Sequence, residues 1–113
     1  MKNTLKLNRE FLRLYKKGKS QVSPLLVTYV MPNRLGRARI GITASTKIGG
    51  AVQRNRARRV IRAAWQELSK TTQGGWDIVF VARTRTVTCR STDLYRVMEK
   101  HLNALLPSKQ GPK

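Results

Sequence analysis

Five arginines fall within positions 54–62 of the stretch "AVQRNRARRVIRAAW", and no acid lies between Lys47 and Gln66. A guanidinium is a planar fork of N–H donors that grips phosphate oxygens in pairs, so this cluster points to polyanion binding rather than bond breaking. On a helical projection of about 100° per residue, Asn55, Arg58, Arg59, Arg62 and Gln66 share one arc. Ala57, Val60, Ile61, Ala64 and Leu68 share another, with Trp65 at its edge. Arg54 falls at the helix start, beside Lys47 in the preceding loop. A merely solvated face normally mixes signs, because Glu four residues before Lys or Arg supports a helix. The ladder Arg54–Arg58–Arg62 instead repels itself, by a few tenths of a kcal/mol per pair, so a compensating anion is expected.

Residues that could do catalytic chemistry are sparse. The acids Glu10, Glu67, Asp77, Asp93 and Glu99 are scattered, and no pair suggests a two-metal cluster. Asp77 opens an apolar run after Trp76, where a structural or capping role is expected. His101 is the only histidine and lies near the end of the last helical segment, which suits a structural or surface role favoured by the helix dipole. Cys89 is the only cysteine, so no disulfide framework and no cysteine-based zinc pattern exist. Trp65 and Trp76 read as core or rim packing. No catalytic residue and no metal ligand is assigned.

The composition supports a binding role. The chain has 113 residues, 24 Lys and Arg against 5 Asp and Glu, and a formal net charge of +19. Such a chain repels itself until a polyanion neutralises it. Nucleic acid is the leading partner and an anionic membrane surface the second. The longest apolar run, "IVFVA", cannot span a bilayer, and "MKNTLKLNREF" has no apolar stretch of secretory-signal length, so a cytoplasmic protein without membrane association is expected. No obligate protein partner is evident.

The elements that must hold the arginine face can be read in order. "NREFLRLYKKG" is a short helix, with Asn8 as cap, Glu10 in the first turn and Gly18 as stop. "PLLVTYV" and "ARIGITA" read as strands joined by the turn "PNRLGR", which suggests an antiparallel hairpin. "STKIGG" is a loop, Ala51 to about Lys70 is a helix, and "TTQGG" ends it. "WDIVFVAR" is a strand apolar enough to be buried on both faces. "TRTVTCR" is a polar connection. "STDLYRVMEKHLNALL" is an amphipathic helix, with Ser91 or Thr92 as cap and Leu94, Val97, Met98, Leu102 and Leu105 in its stripe. The expected fold class is α+β: a small α/β sandwich in the order α-β-β-α-β-α, with one sheet packed by helices and room for a further short strand near "KSQVS". It is read as one domain over 1–113, with a short basic tail at 107–113.

A helix-turn-helix needs another helix just before the basic one. A strand and a glycine-rich loop stand there instead, which favours RNA over DNA. RNA binders often stack bases on aromatics. Phe11 and Tyr15 on the first helix and Tyr29 on the first strand could form such a platform, or could be ordinary core.

The string "GITASTKIGGAVQRNRARRVIRAAW" resembles the signature of the protein subunit of bacterial ribonuclease P. Ser45, Lys47, Gly49, Ala51, Val52, Arg54, Asn55, Arg59 and Arg62 match it in register. Arg58 replaces the usual Lys and keeps the charge, and Ala63 stands where a Glu often follows. "EFLRLYKKGK", "LVTYV" and "WDIVFVAR" are similar to the family's first helix, first long strand and late strand, so the resemblance covers roughly residues 5–106.

The resemblance implies a ribonucleoprotein endonuclease that removes the 5′ leader of precursor tRNA by hydrolysing one phosphodiester bond. It implies a catalytic RNA partner, Mg2+ held chiefly by that RNA, and a protein inactive alone. It also implies a left-handed βαβ crossover, against the general right-handed rule. By the same resemblance, Lys47, Arg54, Asn55, Arg58, Arg59 and Arg62 form the RNA-binding surface. Phe11, Tyr15 and Tyr29 line a cleft for the single-stranded leader, Tyr15 matching a position where Phe is common. A structural or ribosomal-type RNA-binding protein is the alternative.

Overall fold

The computed structural model describes residue 5 and residues 8–106, so the expected tail at 107–113 lies outside the described residues. The elements are helix α1 (Asn8–Lys17), strands β1 (Lys19–Val22), β2 (Leu26–Pro32) and β3 (Arg39–Thr43), helix α2 (Ala51–Leu68), strand β4 (Trp76–Ala82) and helix α3 (Ser91–Leu105). Short 3-10 turns at Thr46–Ile48 and Thr84–Thr88 precede α2 and α3. The fold class is as expected, and the extra short strand near "KSQVS" is β1.

The sheet order is β1-β2-β4-β3. This corrects the expected hairpin between the strands at 24–30 and 38–44. β2 and β3 do not pair. β4 lies between them, antiparallel to β2 and parallel to β3. The cause lies in β4 itself. Ile78, Val79 and Phe80 are all fully buried and alternate between the two faces, so this strand is stable only at the centre of the sheet. The hairpin is β1–β2 instead, its turn held by Ser23, whose Oγ accepts from the Leu25 and Leu26 amides. β3–α2–β4 is the crossover that joins the parallel pair.

One sheet face carries the main core. Leu26, Val30, Ile78 and Phe80 meet Ala57, Ile61, Ala64 and Leu68 of α2 and Leu94, Met98 and Leu102 of α3. Ala57, Ile61, Ala64 and Leu68 are all within 1% of complete burial, so the apolar arc read from the sequence is the packed face of α2. α3 begins without a side-chain cap from Ser91 or Thr92. Asp93 instead accepts from the Arg90 amide at 3.2 Å, satisfying one end-of-helix donor. The "TRTVTCR" connection is anchored by Thr86, which is buried, donates to the Leu25 carbonyl and accepts from the Arg83 amide at 2.9 Å.

α1 packs on the opposite face through a smaller cluster. Leu5, Leu14 and Val79 are buried there, flanked by Phe11, Tyr29, Met31 and Val81. Gly18 ends α1 where a Cβ would lie 2.6 Å from the Leu14 carbonyl and 2.8 Å from that of Val30. No other residue fits between the helix end and β2.

Candidate nucleic-acid interface

The loop before α2 fixes where its charges point. Ser45 Oγ accepts from the Lys47 amide at 3.3 Å. Gly49 then turns the chain at a φ of 140°, in the region that favours glycine. Arg54 reaches back and donates from Nη1 to the Gly49 carbonyl at 2.8 Å. Arg54 is half-buried and ties the loop to the helix, so part of its donor fork is used internally.

The other expected RNA-binding residues spread from the 3-10 turn along the outer face of α2. Lys47, Asn55, Arg59 and Arg62 are exposed, and Arg58 is half-buried with Nη1 donating to Asn55 Oδ1 at 3.2 Å. Arg58 and Arg62 also border a cavity of about 190 Å³ shared with Leu5, Phe11, Ile40 and Ile42. The cationic face of α2 therefore reaches around the β3 edge to the first aromatic of α1. Nothing in the spacing of the sequence shows that junction. Arg56 is exposed as well, on a flank of α2 about 100° from Asn55.

The three aromatics gather where α1 meets the sheet. Tyr15 and Tyr29 form an edge-to-face pair with ring centroids 5.0 Å apart. Tyr15 is 38% exposed. Phe11 lies directly on Gly41, where a Cβ would stand 2.6 Å from two of its ring carbons. Phe11 and Tyr29 are half-buried: they pack the small cluster and still present ring surface.

Strand register extends this site. Ser20, Tyr29, Val79 and Gly41 form one cross-strand row, largely beneath α1. Val22, Val27, Val81 and Thr43 form the next. Val22 is 63% exposed and the other three are half-buried. The result is an open strip of sheet beside the tyrosines, with an apolar floor and cationic surroundings. That combination suits an unpaired strand, whose bases stack while its phosphates meet charge.

At the other end of α1, Arg39 binds Asp77 in a bidentate way, Nε to Oδ1 at 3.0 Å and Nη2 to Oδ2 at 2.9 Å. Its Nη1 donates to Glu10 Oε2 at 3.3 Å. Asn33 donates to Asp77 Oδ1 at 2.8 Å. Asp77 thus has the structural role expected, and its hydrogen bond is the leading reason that the Arg39 pKa is raised. Arg39 is missed by reasoning from sequence. Its only signal there is a cation at the start of a strand that pairs with an acid-bearing one.

The remaining reactive side chains are structural. His101 is buried in the main core and hydrogen-bonded through Nδ1 to Thr28 Oγ1 at 2.8 Å. Burial, and then Lys100, hold its pKa below the ordinary histidine value. Of the two roles expected for His101, structural or surface, the structure shows the structural one, because α3 turns this residue onto β2. Burial, followed by Asp93, pushes the Cys89 thiol up, away from a reactive thiolate. Among the described residues, no three of His, Cys, Asp and Glu come together as a metal site. No helix among them is long and apolar enough to cross a membrane.

A four-stranded sheet packed by helices, with an arginine-rich helix and partly exposed aromatics, has the features of a small nucleic-acid-binding protein. Comparison with known proteins makes this specific. The ribonuclease P family model matches residues 1–106, and the chain belongs to that family, whose role is RNA binding and precursor-tRNA processing. It is 39% identical over 102 residues to the ribonuclease P protein component of Dehalococcoides mccartyi strain CBDB1, covering 88% of this chain and 81% of that protein. It is 41% identical over 80 residues to that of Clostridioides difficile strain 630, covering 70% of each. The RNase P protein of Staphylococcus aureus superposes with a TM-score of 0.79 at 30% identity, over 90% of this chain and 94% of that one. The Thermotoga maritima protein superposes with a TM-score of 0.75 at 27% identity, over 90% and 94%.

Proposed function

We propose that this chain works in the cytoplasm as the non-catalytic subunit of its ribonucleoprotein, binding the catalytic RNA and the 5′ leader of precursor tRNA at once. The observation that carries this reading is the junction at the β3 edge. There Arg58 and Arg62 of α2 share a cavity with Phe11 of α1, so the cationic face meets the first of the aromatics.

The division of labour follows from chemistry. Lys47, Asn55, Arg58, Arg59 and Arg62 hold phosphate and sugar of the RNA, while Arg54 shares its fork between RNA and the Gly49 carbonyl. Phe11, Tyr15 and Tyr29, with the open strip of Val22, Val27 and Val81, hold the leader by stacking and apolar contact. Hydrolysis of the phosphodiester bond belongs to the RNA subunit, which supplies the Mg2+ sites. Most of the acids here are otherwise engaged: Glu10 and Asp77 on Arg39, Glu67 on Lys70, and Asp93 at the start of α3. What the protein contributes is substrate affinity, because it binds a segment that mature tRNA lacks.

The test is reconstitution. The protein, ribonuclease P RNA and precursor tRNA are combined at low Mg2+, and leader removal is followed with and without protein. Stimulated cleavage, with a preference for precursor over mature tRNA, is expected. Mg2+-dependent cleavage by rigorously RNA-free protein would overturn the assignment of catalysis to the RNA.

A further inference from the structure

We propose that Glu10 and Arg39 are positioning residues that set the angle of α1 on the sheet and so hold Phe11 and Tyr15 at the groove. This rests on the reading of that groove as the leader site.

Among the described residues, α1 is otherwise held by the small cluster around Leu14 and Phe11 and by the Tyr15–Tyr29 contact. It has ten residues, too few to be stable alone. Its surface carries Arg9, Arg13, Lys16 and Lys17, which the rest of a strongly cationic protein repels. Of its own residues, Leu14 alone is buried. Glu10 is its one acid. Arg39, by contrast, is rigidly held. Its bidentate contact with Asp77 fixes the guanidinium plane on β4, and Asn33 fixes Asp77. That leaves Nη1 as a prepositioned donor beside α1, and Glu10 takes it. The three side chains are only 15–24% exposed, so solvent screens this link less than a free surface pair.

Glu10 stands immediately before Phe11 and five residues before Tyr15. A rotation or lift of α1 at Glu10 moves both rings. Phe11 has little tolerance, since it rests on the bare backbone of Gly41. The Tyr15–Tyr29 edge contact depends on the same docking.

The sign of the expected effect separates positioning from charge. Removing an acid from an RNA-binding protein should, by charge alone, tighten its hold on RNA. The positioning role demands the opposite for the leader. With the reconstituted ribonucleoprotein, Glu10→Ala should weaken precursor-tRNA binding by about threefold to fivefold, the scale of a well-formed ion pair. Mature-tRNA binding and kcat at saturation should not fall. Glu10→Gln keeps a side-chain acceptor for Arg39 Nη1 and should recover part of the loss. Circular dichroism and thermal melting establish that both variants fold. Tyr29→Ala, measured in parallel, reports whether the groove binds the leader at all. If Tyr29→Ala weakens precursor binding while Glu10→Ala leaves it equal or tighter, the positioning role is wrong and the leader groove stands. If neither variant alters the preference for precursor, the groove reading fails and this proposal fails with it.

Discussion

Replacing Arg58 and Arg62 with Gln tests the arginine face most directly. Each charged contact with phosphate contributes about 0.7 to 0.9 to the slope of log K against log salt, so losing two should lower it by about 1.5. Tripling the salt concentration should then weaken the wild-type complex with ribonuclease P RNA about fivefold more than the variant complex. The fold should survive. Both arginines lie off the face of Ala57, Ile61, Ala64 and Leu68, the residues that bury α2. The double substitution breaks the hydrogen bond from Arg58 Nη1 to Asn55 Oδ1, which lies on the exposed side of the helix. Removing charge at i and i+4 also relieves repulsion with Arg54, a gain of about 0.2–0.5 kcal/mol per pair. The assay is binding to the RNA across a salt series, with thermal melting beside it. An unchanged slope with an intact fold would refute the reasoning, because the two arginines would then face only solvent and counterions. A large drop in melting temperature would mean that their stems support the cavity beside Phe11, and that packing outweighs charge.

Three further outcomes are expected. Tyr15→Ala should weaken binding of precursor tRNA more than of mature tRNA, by up to about 1–3 kcal/mol if a base stacks there, and equal losses for both would remove Tyr15 from the leader site. Gly41→Ala places a methyl group 2.6 Å from the Phe11 ring, so it should cost about 1–3 kcal/mol in denaturant unfolding and reduce the preference for precursor. An unaltered stability would show that Phe11 moves aside freely. His101 has a folded pKa below its unfolded value, so the unfolded chain binds the extra proton first. Its contribution to stability is complete above about pH 6.5 and declines as the pH falls through that value toward the folded pKa. His101→Gln should flatten the melting temperature against pH between about 7.5 and 5.5, and an equally steep variant would locate the titration elsewhere.

What could be read in the residues alone was whatever depends on local periodicity and composition. The two faces of α2 follow from a 3.6-residue repeat, and its arginines and buried alanines fall where that repeat puts them. The run "WDIVFVAR" announced a strand buried on both sides, which β4 is. Chain neighbours were a poor guide to sheet neighbours. β2 and β3 are separated by a short turn and read as a hairpin, yet β4 takes the place between them, because only there can both of its faces be covered. Burial of His101 against Thr28 likewise depends on how α3 docks on β2, a contact between residues far apart in the chain. The site shows the same division. Its charge and its aromatic residues were legible one segment at a time. Their union at the β3 edge, and the Glu10–Arg39–Asp77 link that holds α1 there, join residues from α1, β3 and β4. No periodicity within one segment encodes such a contact, so tertiary packing alone decided it.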